Sequence, residues 1–248
     1  MEIEAYLLVA FGAFLVGLAK GGLPGIGNLT IVIFAMVFDP KQSVGILLPV
    51  LISADTVAII VYRKHVEWIY VRRVLPWMMV GIVIGTISFS HMSSEVVAKS
   101  IGIIVLGMTG LQVFRSWYQK RYPDGLADKI PHSLGFRASL GIIGGFATMV
   151  ANAAGPVAQL YFLSVGLPKL AFIGTGVWCF FIVNLIKVPL QMGIGIIGFE
   201  SITTSLSLIP FSIAGALISP HIVRFIPQKQ FTALVWFFIV IAGLKLFF

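Results

Sequence analysis

Lys20 is the residue whose setting most demands a purpose. It closes the apolar run 5–19, in which only Tyr6 has a polar tip, and directly precedes Gly21-Gly22-Leu23-Pro24-Gly25-Ile26-Gly27. An ionisable side chain at membrane depth is unfavourable and marks a functional site by default. An ammonium there can neutralise an anion. Asn28 and Thr30 follow the glycines with an amide and a hydroxyl. A related set recurs 128 positions later: Thr148 at the place of Lys20, Asn152 at that of Pro24 and Gly155 at that of Gly27, followed by Pro156, Gln159 and Tyr161. Helix starts expose free N–H groups and a positive dipole end, which together bind anions. Glycines let a ligand approach the backbone. The candidate substrate-binding set is therefore Lys20, Gly21, Gly22, Gly25, Gly27, Asn28, Thr148, Asn152, Gly155 and Gln159. Asp55 is the one acidic residue deep in an apolar segment, placed either to balance Lys20 or to carry a coupling proton.

These residues sit in a chain of 248 residues that is 58% hydrophobic and 10% charged, with mean hydropathy +1.03. Soluble domains carry about 25% charged residues. The polar surface is too small to cover a water-soluble protein of this size, which excludes a soluble enzyme, a nucleic-acid-binding domain and a disordered tail. The net charge of +8 suits loops lying beside anionic lipid. Two Glu and no basic residue within Met1–Tyr6 argue against a cleaved signal peptide. The lone Cys179 lies in an apolar run and reads as packing.

Ten apolar segments carry the candidate residues: 5–21, 28–38, 42–62, 74–90 and 96–114, then 138–152, 156–166, 170–190, 202–219 and 231–248. Segments 28–38 and 156–166 are too short to cross a hydrocarbon core of about 30 Å at about 1.5 Å per residue. Each follows a small-residue break. Lys99 and Lys187 lie near segment ends and read as side chains reaching the membrane surface. Trp68, Trp77 and Trp117 fall near expected interfaces, whereas Trp178 is deeper and reads as packing.

The two sets of five are related. Gly17, Gly27, Phe34, Pro40 and Lys41 match Gly145, Gly155, Phe162, Pro168 and Lys169. With small shifts, Pro76 and Gly81 match Pro210 and Gly215, and Gly110, Leu111 and Phe114 match Gly243, Leu244 and Phe247. Such repeats mark secondary transporters. Five is an odd number, so the second repeat is expected to be inverted. With the N-terminus outside, most of the 17 basic residues fall in cytoplasmic loops. A parallel arrangement would make 5–38 one helix of about 51 Å, far longer than the core. Segments 5–38 and 138–166 are therefore expected to be hairpins whose breaks meet near the midplane, with Asn28 capping one short helix and Pro156 in the first turn of the other. The predicted fold is an all-α integral membrane protein: a first repeat at 1–117, a basic cytoplasmic linker at 118–136 and a second repeat at 137–248.

Other chemistry finds little support. Gly22-x-x-Gly25-x-Gly27 lacks a following Lys-Ser/Thr and precedes no soluble α/β unit, so it is no nucleotide motif. The four histidines have no metal-ligand spacing, and no cofactor is implied. Gly81-x-x-x-Gly85 and Gly141-x-x-x-Gly145 are close-packing signals.

The Gly-Gly-Leu-Pro-Gly-Ile-Gly break, the Asn152-Ala153-Ala154-Gly155-Pro156 break and the duplicated length resemble the TauE/SafE family of sulfite exporters over nearly the whole chain. This chain departs from the commoner glycine run by carrying Lys20 and Pro24 at the first break. The resemblance implies a multi-pass transporter in a prokaryotic inner membrane, taking sulfite or an organosulfonate, and no enzyme. The expected partners are a small anionic substrate and the lipid bilayer, without nucleic acid; a homo-oligomer is compatible with the sequence. Inside-negative potential favours anion exit by about 2.3 kcal/mol per charge per 100 mV, so export is either uncoupled or coupled to protons through Asp55. The rival readings are a proton-coupled cation carrier using Asp55 and a passive anion channel.

Overall fold

The computed structural model describes residues 2–21, 26–121 and 134–222. The described elements are all helical: α1 (Ile3–Lys20), α2 (Ile26–Val37), α3 (Pro40–Tyr62), a single 3-10 turn (Arg63–His65), α4 (Trp68–His91), α5 (Ser94–Arg121), α6 (Leu134–Ala151), α7 (Gly155–Ser164), α8 (Lys169–Gly193) and α9 (Phe199–Ile222). They correspond one to one with the first nine expected segments, and segment 231–248 lies outside the described residues. Helices α1, α3, α4, α6, α8 and α9 are long and apolar enough to cross a membrane. The chain is a multi-pass membrane protein.

Several helices outrun their apolar segments. Helix α4 starts at Trp68, before Arg72 and Arg73, and α5 continues through Arg115 to Arg121. Charge ends a hydrophobic segment but does not end a helix. Nor do interior prolines end helices here. Pro49, Pro76, Pro189 and Pro210 all lie within helices, as membrane helices tolerate when neighbours satisfy the freed carbonyls.

Helix α2 folds back along α1. Gly12 lies against Ile33 and Phe34, Gly27 lies beside Ala19, and the Thr30 hydroxyl donates to the Gly12 carbonyl at 3.3 Å. In the second half, Gly144 and Ala147 of α6 lie against Val157 of α7. Both short helices thus return along the helix before them.

Glycines set the tightest contacts between the halves. On α1, Gly17 packs on the backbone of Ser212, Gly215 and Ala216, and Gly215 of α9 packs back on the Phe14 carbonyl. On α6, Gly145 packs on the Met78 carbonyl, and Gly81 of α4 packs back on the Ile142 carbonyl. Any Cβ at these glycines would collide with backbone. The first helix of each half therefore rests on the fourth helix of the other half. The expected GxxxG faces of α4 and α6 meet each other. The α1–α9 face uses Gly17 and Gly21 against Gly215 and Ser219 in the same way. Ser219 adds a hydrogen bond to the Leu18 carbonyl at 3.0 Å.

The interior divides into two main apolar clusters. One joins α1, α2, the first half of α3, α5 and the end of α4 around Phe34, Leu47, Phe89 and Ile101, and takes in Leu18 of α1 and Val150 and Ala151 of α6. The other joins α4, α7 and α8 around Met78, Phe162, Cys179 and Val183, with Met149 of α6.

Candidate functional site

Two helix ends deliver polar groups into this interior. Helix α1 stops at Gly21, whose N–H still reaches the Gly17 carbonyl at 3.0 Å, just before the run 22–25 with Pro24. That leaves Lys20 in the last turn. Helix α6 stops at Ala151 because Asn152 turns left-handed, with φ 55°, the one non-glycine positive φ among the described residues. Asn tolerates that region better than most side chains. Its N–H bonds the Thr148 carbonyl at 3.0 Å, while its side chain points inward.

Lys20 Nζ lies 2.8 Å from Asp55 Oδ1 of α3. The lysine side chain is 16% exposed and the carboxylate is fully buried. The ammonium also sits 4.8 Å from the centre of the Phe180 ring, a favourable cation–π placement. The second carboxylate oxygen, Oδ2, accepts from Asn184 Nδ2 of α8 at 2.8 Å. Asn184 in turn accepts from Lys187 Nζ at 3.5 Å. Lys187, one helical turn further along α8 and wholly buried, also donates to Thr148 Oγ1 at 3.2 Å and to Asn152 Oδ1 at 2.5 Å. Asn152 Nδ2 closes the chain on the Val44 carbonyl at 3.0 Å. One continuous network thus links the end of α1 to the end of α6 through α3 and α8.

The network holds two ammonium groups and one carboxylate. Buried charge survives only when paired or fully hydrogen-bonded. Lys20 is paired. Lys187 is held by three neutral oxygens and has no carboxylate partner. Close by, Tyr62 donates to the Gly21 carbonyl at 3.1 Å, tying the end of α3 to the first break. Gln191, the next residue on the Lys187 face of α8, is fully buried with neither amide atom bonded.

The structure brings together Lys20, Asp55, Thr148 and Asn152. Of the expected site residues, several lie elsewhere. Asn28 does not cap α2, because the helix already begins at Ile26; its amide donates instead to Thr109 of α5 at 3.3 Å. Gly21 packs on Ser219, and Gly27 beside Ala19. Gly155 opens α7 with free space where a Cβ would stand. Gly22, Gly25 and the side chain of Gln159 lie outside the described residues.

Lys187 corrects the sequence reading. It does not reach the membrane surface: its side chain is sealed inside, and α8 continues beyond it to Gly193 despite Pro189. Asn184 was also missed. The signal was present, since Asn184 and Lys187 are one turn apart and the next charged residue along the chain is Glu200. Ending the segment at 190 put Lys187 near its end and hid it.

Among the described residues no group of His, Cys, Asp or Glu could hold a metal ion. Cys179 is buried, with its thiol 3.7 Å from the Met78 sulfur, as a packing residue would be.

Residues 9–246 match the family model described as sulfite exporter TauE/SafE. No curated protein and no solved structure matches the chain.

Proposed function

The chain belongs to the sulfite exporter TauE/SafE family, a family of transporters and not of enzymes, and from that premise we propose that it is a secondary transporter exporting sulfite or an organosulfonate across a prokaryotic inner membrane. Anion transport is the coarse activity that membership carries. The finer reading rests on one observation: a buried network with two lysines and one carboxylate, strung between the ends of two broken hairpins. Two lysines against one carboxylate favour an anion over a cation in a membrane interior.

In this reading the bound anion lies at the junction of the α1 and α6 ends. Lys20 is its charge partner, and Thr148 and Asn152 are neutral donors. The N-termini of α2 and α7 add their free N–H groups, and Gly155 leaves room for the ligand to approach the backbone. The two halves form inverted repeats of five segments and rock against each other around the junction. The exchanged glycine contacts support this: Gly17 on α9 and Gly145 on α4 repeat one packing with the partners drawn from opposite halves.

A cation carrier built on Asp55 fits poorly. Its oxygens are engaged by Lys20 and Asn184, and Lys187 adds further positive charge nearby.

The test is thermal stabilisation of the purified protein in detergent by sulfite, thiosulfate, sulfoacetate, isethionate, sulfate and acetate, with choline and divalent cations as counter-tests. A ligand that binds only the folded state must raise its melting temperature. The expected result is a shift with sulfite or a sulfonate that disappears in Lys20→Ala. Shifts with cations alone would overturn the reading.

A further inference from the structure

Two donors from different helices converge on Asp55. The Lys20 ammonium, at the end of α1, meets Oδ1 at 2.8 Å, and the Asn184 amide of α8 meets Oδ2 at 2.8 Å. One ammonium and one amide N–H, each on its own oxygen, is the donor set an oxyanion would use. The chain's own carboxylate occupies it.

That occupancy limits what an incoming anion can do. To take the two positions that Asp55 holds on Lys20 and Asn184 it must displace Asp55. The displaced carboxylate has nowhere else to go as a charge. Lys187 is the other ammonium nearby, and its three N–H groups are taken by Thr148, Asn152 and Asn184. Asp55 is fully buried, and an unpaired buried carboxylate is too unfavourable to persist. It can leave its partners only as the neutral acid.

We propose that Asp55 is a tethered competitor of the transported anion, holding the anion's place at Lys20 and Asn184 and yielding it by taking up one proton from water. This inference rests on the reading of the junction as an anion site. The charge count supports the exchange: a monovalent anion enters as the Asp55 carboxylate is neutralised, so the charge of the site is unchanged. Anion and proton then travel together, and the transport cycle moves no net charge.

The ionisable groups around Asp55 are few. Lys20 faces it from α1, and Lys187 and the buried Cys179 thiol face it from α8. Helix α2 has no ionisable side chain, and α9 carries only Glu200 and His221, in its first and last turns. Helix α9 instead presents the Ser212 hydroxyl to Ser53 at 2.6 Å. On α5 the stretch 100–114 is uncharged.

The experiment measures binding of ethanesulfonate, a permanently charged monoanion, to the full-length protein by calorimetry. In wild type, uptake of a proton with each anion makes affinity rise as pH falls, by up to about tenfold per pH unit. Asp55→Asn keeps the shape and removes the competitor. It is expected to bind without pH dependence and about tenfold or more tighter than wild type at the alkaline end. Wild-type affinity independent of pH, or weaker binding by a folded Asp55→Asn, would overturn the competition while leaving the anion site standing. Failure of both proteins to bind ethanesulfonate or sulfite at any pH would overturn the site and the competition together. Should Asp55→Asn not fold, wild-type calorimetry in two buffers of different protonation enthalpy decides: one proton per anion supports the competition, and none refutes it.

Discussion

At the end of α1 a lysine meets a carboxylate; at the end of α6 a threonine and an asparagine meet a lysine. The surroundings of the two ends are alike. Each helix rests on the fourth helix of the other half through glycines, Gly17 and Gly21 on α1 and Gly141 and Gly145 on α6, and each is followed by a short helix that folds back along it. The repeated part is backbone packing, where only a missing side chain will do. The unrepeated part is charge. Lys20 has a full counter-ion in Asp55, whereas Lys187 has neutral oxygens only. The junction thus holds two lysines and one carboxylate, and the unpaired lysine comes from the half that lacks the carboxylate.

The largest effect that sharpens this contrast is expected from Lys20→Met. It strands Asp55 in the interior, and breaking a buried pair from one side costs about 3–5 kcal/mol. Lys187→Met leaves neutral oxygens unsatisfied and should cost about 1–3 kcal/mol. Denaturation in mild detergent measures both. Adding Asp55→Leu should rescue Lys20→Met and should not rescue Lys187→Met. Equal rescue of both would erase the distinction between the two ends.

Next come the shared contacts. Gly17→Leu and Gly145→Leu both drive a side chain into backbone, and each should destabilise by about 3 kcal/mol or fail to fold, overpacking being the cause. Similar losses at the two sites are expected, read as folded yield and melting temperature. Tolerance at one site alone would show that the packing is not repeated.

A smaller change is expected at Gly155→Ala. A Cβ there meets nothing within 4 Å, so stability should move by no more than about 0.5 kcal/mol. Anion affinity should fall in the thermal-shift assay, because the glycine leaves space for a ligand and not for a neighbour. Unchanged affinity would remove the start of α7 from the site.

Much of this arrangement is legible in the sequence, for reasons that the residues make plain. Hydropathy and the two small-residue breaks locate nine helices, because apolar runs and breakers act locally. The odd setting of Lys20 and Asp55 marks both, since a charge inside an apolar run stands out. Their pairing was weighed from sequence as one of two roles for Asp55, and the 2.8 Å contact realises it. Lys187 is harder to read. Pro189, two residues on, looks like the end of a segment, yet the helix carries the proline and continues. The Asn184 bridge to Asp55 spans 129 positions and depends on how α3 crosses α8, which no local pattern encodes. Asn28 shows the opposite failure. Its type suits a cap, but the helix gains two residues before it and turns its amide toward Thr109.

The central claim is that the two-lysine junction carries a small sulfur-containing anion. Its most direct test is efflux of labelled sulfite from proteoliposomes holding wild type, Lys20→Gln or Lys187→Gln, each first shown to be folded. The account predicts saturable efflux in wild type and a fall of about tenfold or more in both variants, in keeping with the loss of a charge-assisted contact. Wild-type rates retained in both folded variants would contradict it.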